Sequence, residues 1–305
     1  MAITNIEKSV LDRLKNQSKE ADLPFQVVLQ LFAQEEFLRK LSLSKYNDKF
    51  VLKGGMFIYT LTNYESRPTR DVDLLLRNIS GEISVIENIT QEICTIKTGN
   101  DFINIEYVKI EQIGQDKNYP GARISLLGKI GKVKIPFSID IGIDDVVVPP
   151  PTKRAINVRL PEFMQPEVYV YSLESTVAEK FDAILQRMSA TSRMKDFFDI
   201  YYLSNTFDFD GNILCKAIKE TTTHRRRNIS NSAIDDIRDF VNDDYMILQW
   251  SNYEPAKKAL LSFDNTINSI CSFLEPIYEA MLEEDDFTYK WNCNQQQWLH
   301  YNIAR

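Results

Sequence analysis

From Val133 to Asp144 apolar and polar side chains alternate without a break. Val133, Ile135, Phe137, Ile139, Ile141 and Ile143 stand against Lys134, Pro136, Ser138, Asp140, Gly142 and Asp144. A period of two predicts a strand with one apolar face, and it puts Asp140 on the opposite, polar face. Shorter extended segments are predicted at Phe50–Leu52, Asp71–Leu76, Phe102–Ile110, Arg123–Leu127 and Ile156–Leu160. Helical spacing marks residues 4–18 and 25–42, the latter through Phe25, Val28, Leu29, Phe32 and Phe37. Two further helices are predicted over Met56–Leu61 and 82–97, with Ile83, Ile86, Ile89 and Ile93 on one face of the second. Pro149-Pro150-Pro151 ends the strand-rich run, and from Ser172 to about residue 283 the pattern is helical. The tail from Phe287, rich in Asn, Gln and aromatics, fits neither period. The pattern predicts an α+β chain with a strand-rich part over residues 1–170 and a helical part over 171–305.

A chain of 305 residues suits two domains at roughly 150 residues each. No apolar run approaches the ~20 residues of a membrane span, and the N-terminal residues carry no signal-peptide apolar core, so a cytoplasmic protein with no membrane partner is expected. Cys94, Cys215, Cys271 and Cys293 stand far apart with no C-x-x-C pair, which predicts buried free thiols rather than structural zinc. His224 and His300 are the only histidines, and neither is placed for a Ser-His-Asp or Cys-His arrangement. That leaves catalysis to carboxylates, lysines and metal. With a net charge of −7, binding to nucleic acid requires a local gathering of cations.

The chemistry concentrates in Lys53-Gly54-Gly55 and Asp71-Val72-Asp73. Carboxylates at i and i+2 of a strand share a face, and two anions so close repel unless a proton or cation lies between them. Mg²⁺, a hard ion that takes one or two carboxylates plus substrate phosphates, answers that repulsion. If the strands share a sheet, Asp71, Asp73 and Asp140 converge as metal ligands and catalytic carboxylates. The plainer alternative is a solvated strand end. Glycines at a helix start allow close backbone approach and phosphate binding, so Gly54 and Gly55, with Lys53 and Arg70 adding charge, are assigned to the nucleoside triphosphate.

Lys180 borders the apolar stripe Leu173, Val177, Phe181, Ile184 and Met188, where an ammonium requires a partner. It either snorkels to water or points at the carboxylates or the triphosphate. Arg193 to Leu203 is apolar on most sides yet carries Lys195, Asp196 and Asp199. Asp196 and Asp199 are expected to fix Lys180 or Arg193 while Lys195 reaches substrate; a purely structural ion-pair network is the alternative. For an RNA acceptor, His224-Arg225-Arg226-Arg227 with Lys216 and Lys219, or Lys129, Lys132 and Lys134, could track phosphates, unless the first run is a solvated helix end.

Together, Lys53-Gly54-Gly55, Arg67-x-Thr69-x-Asp71-x-Asp73, Asp140, Glu179-Lys180 and Arg193-x-Lys195-Asp196-x-x-Asp199-Ile200 resemble the AbiEii/AbiGii family of nucleotidyltransferase toxins, relatives of the MenT toxins. The resemblance covers residues ~50–205. It implies a polymerase-β-like nucleotidyltransferase domain, a mixed sheet flanked by helices, with a helical C-terminal part completing the active site. It implies Mg²⁺-dependent transfer of a nucleoside monophosphate from an NTP to an acceptor, with tRNA ends as an RNA acceptor. It further implies a toxin–antitoxin and abortive phage infection system with a DNA-binding winged-helix antitoxin. By position it makes Asp71 and Asp73 metal ligands, Asp140 a third acidic residue, Lys180 the nucleotide-contacting lysine and Asp199 the late acidic residue. Thr69 keeps the hydroxyl two residues before the first aspartate; Met56 departs from the hydroxyl residue that often follows the glycine pair. A small-molecule nucleotidyltransferase and a non-catalytic nucleotide-binding module are the competing functions.

Overall fold

The computed structural model describes residues 6–113, 121–188 and 193–300. The first two residues of the helix expected over 4–18 therefore lie outside the described residues. Contacts divide the chain into two compact units, one of residues up to Asp145 plus Thr152–Tyr171, the other of Val146–Pro151 plus the chain from Ser172.

In the first unit, helices α1 (Ile6–Glu20) and α2 (Phe25–Leu43) precede strand β1 (Phe50–Lys53), helix α3 (Gly54–Leu61), strand β2 (Val72–Leu76) and helix α4 (Ile83–Thr95). Strands β3 (Ile103–Ile113), β4 (Gly121–Ile130), β5 (Val133–Ile143), β6 (Thr152–Ala155) and β7 (Glu167–Val170) follow. All seven form one mixed sheet in the order β3-β4-β5-β2-β1-β7-β6, flanked by helices. β5 behaves as its alternation demands: Ile135, Phe137, Ile139 and Ile141 are buried, and Asp140 is on the half-exposed side. The strand expected at Ile156–Leu160 is absent. Sheet pairing instead uses Thr152–Ala155 against Glu167–Val170, so the proline cluster interrupts the sheet's sequence without ending it.

Helix α2 is buried on every side from Leu31 to Leu41. It packs against α1, α4 and the sheet, and Glu35, Glu36, Arg39 and Lys40 are buried with its apolar residues. Each charge has partners, as burial requires. Arg39 bonds Glu36 at 3.1 Å and the Met164 carbonyl at 2.7 Å, while Asn100 donates to Glu36 at 2.7 Å. The Arg159 backbone N–H donates to Glu35 at 3.2 Å, and the Arg159 guanidinium lies over the Tyr64 ring. Burial pushes the Glu35 carboxyl up to about 7, against the opposing pull of Arg39 and Arg159.

A carboxyl raised in the fold binds more protons folded than unfolded between its two pKa values, so its contribution to stability falls as pH rises from about 4.5 to 7. Glu35→Gln removes that dependence. Its stability relative to the parent protein should improve by about 2–3 kcal/mol between pH 5 and pH 8, measured by denaturant unfolding. A constant difference across that range would contradict the assignment.

In the second unit, helices α5 (Leu173–Arg187) and α6 (Met194–Thr206) are followed by the short strand β8 (Phe209–Asp210) and helix α7 (Gly211–His224). Helices α8 (Ala233–Arg238), α9 (Asp244–Asn252), α10 (Glu254–Lys258) and α11 (Phe263–Glu283) complete the helical part. The tail forms strands β9 (Tyr289–Asn292) and β10 (Gln297–His300), which join β8 in a three-stranded sheet. Trp291 anchors it, buried against Phe273 and donating its indole N–H to the Ser204 carbonyl at 2.6 Å. Cys94, Cys215 and Cys271 are buried free thiols. Among the described residues no helix is long and apolar enough to cross a membrane.

Candidate active site

Strand register assembles the site in the first unit. β2 runs parallel to β5 with Asp73 opposite Asp140, and antiparallel to β1 with Lys53 opposite Asp73. β4 pairs with β5 so that Arg123 faces Asp140, and β3 pairs with β4 so that Glu111 faces Arg123. Directly opposed residues share a sheet face. One row across five strands therefore reads Glu111, Arg123, Asp140, Asp73, Lys53. Asp71 stands exposed just before β2 rather than within it, which corrects the expected strand by one residue and still leaves Asp71 beside the row.

Gly54 has φ +66°, and a Cβ there would overlap Oδ2 of Asp73 and lie 2.9 Å from its Cγ. A Cβ on Gly55 would meet Oγ1 of Thr69 at 2.9 Å and Nη2 of Arg67 at 3.3 Å. The close approach that glycine permits is used by the protein itself: Asp73 and Thr69 fold down onto the turn that opens α3. A carboxylate at a helix N-terminus is favoured by the helix dipole. Thr69 is buried, with its hydroxyl 3.3 Å from the Asp71 carbonyl, and Gln34 of α2 holds the loop through the Arg70 carbonyl at 2.8 Å. The Arg70 side chain is exposed, and Met56 is fully buried in α3.

Two charged residues of this site were missing from the sequence reading. Arg123 grips Asp140 through two bonds of 2.7 Å, from Nε to Oδ1 and from Nη2 to Oδ2. That contact, with smaller contributions from Asp71 and Asp73, holds the Arg123 guanidinium even more firmly protonated than usual. Asp145 takes the Lys53 ammonium at 2.7 Å, over the Tyr171 ring. Lys53 is thus paired within the unit, where the sequence had assigned it to phosphate alone.

The donor set suits a hard divalent cation, since it consists of carboxylate oxygens with no His or Cys. The guanidinium of Arg123 already stands as a cation within the field of all three aspartates. Among the described residues, no three acidic, His or Cys side chains are gathered closely enough to hold a metal as they stand; Asp140 is turned to Arg123.

In the second unit, Lys180 is buried and bonds Asp199 at 2.5 Å and Asp196 at 3.3 Å, and Arg193 bonds Asp196 at 2.9 Å. Both aspartates are almost fully buried, so the pairing offsets their desolvation. Lys195, on the same helix, lines a cavity of about 300 Å³ with Arg193, Gln249 and Tyr253. Two arginines of the basic run at 224–227 are engaged within the second unit, while Arg226 is exposed. Arg225 bonds Glu179 and Asp182, and Arg227 bonds Asp182 at 2.7 and 2.9 Å. Asp182 is buried on α5, which packs on α7, and requires those cations. Lys219 and Lys216 lie near Glu284 and Glu220, and Lys129 is paired with Glu106. Lys132 and Lys134 are exposed at the β4–β5 turn.

A family model described as the nucleotidyl transferase AbiEii toxin, type IV toxin–antitoxin system, matches residues 36–268. Comparison with curated proteins found no match. Among solved structures, MenT4, a nucleotidyltransferase toxin from Mycobacterium tuberculosis H37Rv, aligns with a TM-score of 0.54 at 14% identity, covering 85% of each chain. A Helicobacter pylori protein aligns at a TM-score of 0.44 and 14% identity, over 87% of this chain and all of that one. JHP933, also from Helicobacter pylori, aligns at 0.42 and 13%, over 83% and 94%.

Proposed function

Because the chain belongs to the AbiEii nucleotidyl transferase toxin family, we propose that it transfers a nucleoside monophosphate from an NTP to an RNA acceptor such as a tRNA end. The observation that carries this reading is the register match of Asp73 with Asp140, set against a glycine turn that Asp73 itself packs onto. Asp71 and Asp73 are the residues to hold Mg²⁺, with Asp140 as third ligand. The metal would polarise the phosphoryl group and stabilise the leaving pyrophosphate.

The chain's own residues do the remaining work. Asp140 orients the acceptor hydroxyl and takes up its proton. The N–H groups of the turn at Gly54 and Gly55 are proposed to bind phosphate oxygens, and Thr69 fixes the loop that presents Asp71. Arg70, exposed beside Asp71, and Lys53 supply positive charge. Lys180 is proposed to carry charge for the triphosphate, with Asp196 and Asp199 holding its ammonium in place. Lys195, on α6, is less buried than Lys180 of α5.

The family's description supports a role in a type IV toxin–antitoxin system; we further propose that it acts in the cytoplasm against phage, with a winged-helix antitoxin as partner. Radiolabelled NTPs offered with Mg²⁺ to total RNA, to purified tRNA and to small hydroxylated acceptors test the reading. Label is expected in the RNA fraction. Label confined to small acceptors would make the protein a small-molecule enzyme, and NTP binding without turnover would make it a non-catalytic module.

A further inference from the structure

The row of charges raises a question that the nucleotidyltransferase reading does not answer. Asp140 is the proposed third metal ligand, yet both of its oxygens are engaged by Arg123. Building on that reading, we propose that Arg123 competes with the divalent cation for Asp140, so that the guanidinium leaves the carboxylate as the metal binds and sets the metal affinity of the site.

Four observations support it. The two-bond contact uses the planar fork of the guanidinium, the geometry in which an arginine–carboxylate pair is strongest. Arg123 lies within the field of Asp71 and Asp73 as well as Asp140, so a second cation entering that field meets its repulsion. The Arg123 side chain is 47% exposed against 22% for Asp140, and the residues two positions away on its face, Gly121 and Ser125, are small. It can therefore swing aside without disturbing the core. A partner also waits on the far side: Glu111 stands opposite Arg123 on β3, with Lys109 at 2.8 Å as its present ion pair. Moving from Asp140 toward Glu111 is a step between neighbouring strands of one sheet face.

The test uses the full chain and metal alone. Mn²⁺ and Mg²⁺ affinities are measured by titration calorimetry at low ionic strength for the parent protein, Arg123→Gln, Arg123→Lys and Arg123→Gln combined with Asp140→Asn. Removing a positive charge about 5 Å from a divalent ion should tighten binding about tenfold in Arg123→Gln. Arg123→Lys, which keeps the charge but loses the fork, should fall between, and the added Asp140→Asn should erase the gain. Thermal melting with and without Mn²⁺ gives a second readout, with a larger metal-induced rise in Arg123→Gln. Unchanged or weaker binding in Arg123→Gln, with the parent protein binding normally, overturns the competition and leaves the metal site standing. Binding by none of the proteins overturns the metal site itself and the competition with it.

Discussion

Asp73→Asn is expected to abolish nucleotide transfer, lowering the rate by about 10³-fold or more, while leaving the melting temperature within a few degrees of the parent. Asn keeps the shape of Asp and loses only the charge. Asp73 is half-exposed at the point where three features meet. It faces Asp140 across β5, faces Lys53 across β1 and packs on the turn at Gly54. Asp73 thus joins the sheet row to the glycine turn. If the metal holds the triphosphate against the turn, this is the side chain whose charge it depends on. Transfer of labelled nucleotide to RNA and growth arrest on expression are the two measurements. Activity within tenfold of the parent would remove Asp73 from the chemistry, and with it the metal reading.

Much of this site could be read along the chain, for identifiable reasons. The alternation through Val133–Ile143 has one solution, so Asp140 had to leave the polar face. Arg123 is legible in principle. Residues 131 and 132 form a two-residue turn, Gly131 with φ +55°, and Ile130 pairs with Val133. A hairpin that tight fixes the pairing of every later residue, which places Arg123 opposite Asp140.

Other features were hidden because tertiary partners decide them. The charges of α2 look amphipathic until Arg159, Asn100 and Met164, far along the chain, turn out to enclose them. Arg225 and Arg227 read as a basic patch because Asp182, which binds both, lies more than 40 residues earlier. The tail shows why short strands escape pattern reading: β8 has two residues and pairs with a hairpin some 80 residues away.

Gly54→Ala carries the second large effect, and it separates two uses of glycine. Were the residue needed only to let phosphate approach, alanine would weaken nucleotide binding and leave the apo fold unchanged. The structure demands more. At φ +66° an alanine costs roughly 1–2 kcal/mol in backbone strain alone. Its methyl would also collide with Oδ2 of Asp73, so the carboxylate must rotate away or the turn must shift. A displacement near 1 Å at a reacting centre can lower rates about 10²-fold. The expected result is therefore a loss of transfer of at least that order, together with a lower melting temperature in the absence of nucleotide. Gly54→Ala combined with Asp73→Gly, which vacates the space, should recover part of the stability and none of the activity. Recovery of neither would place the strain in the backbone alone. A Gly54→Ala protein that melts like the parent and transfers nucleotide normally would mean that Asp73 does not rest on this turn.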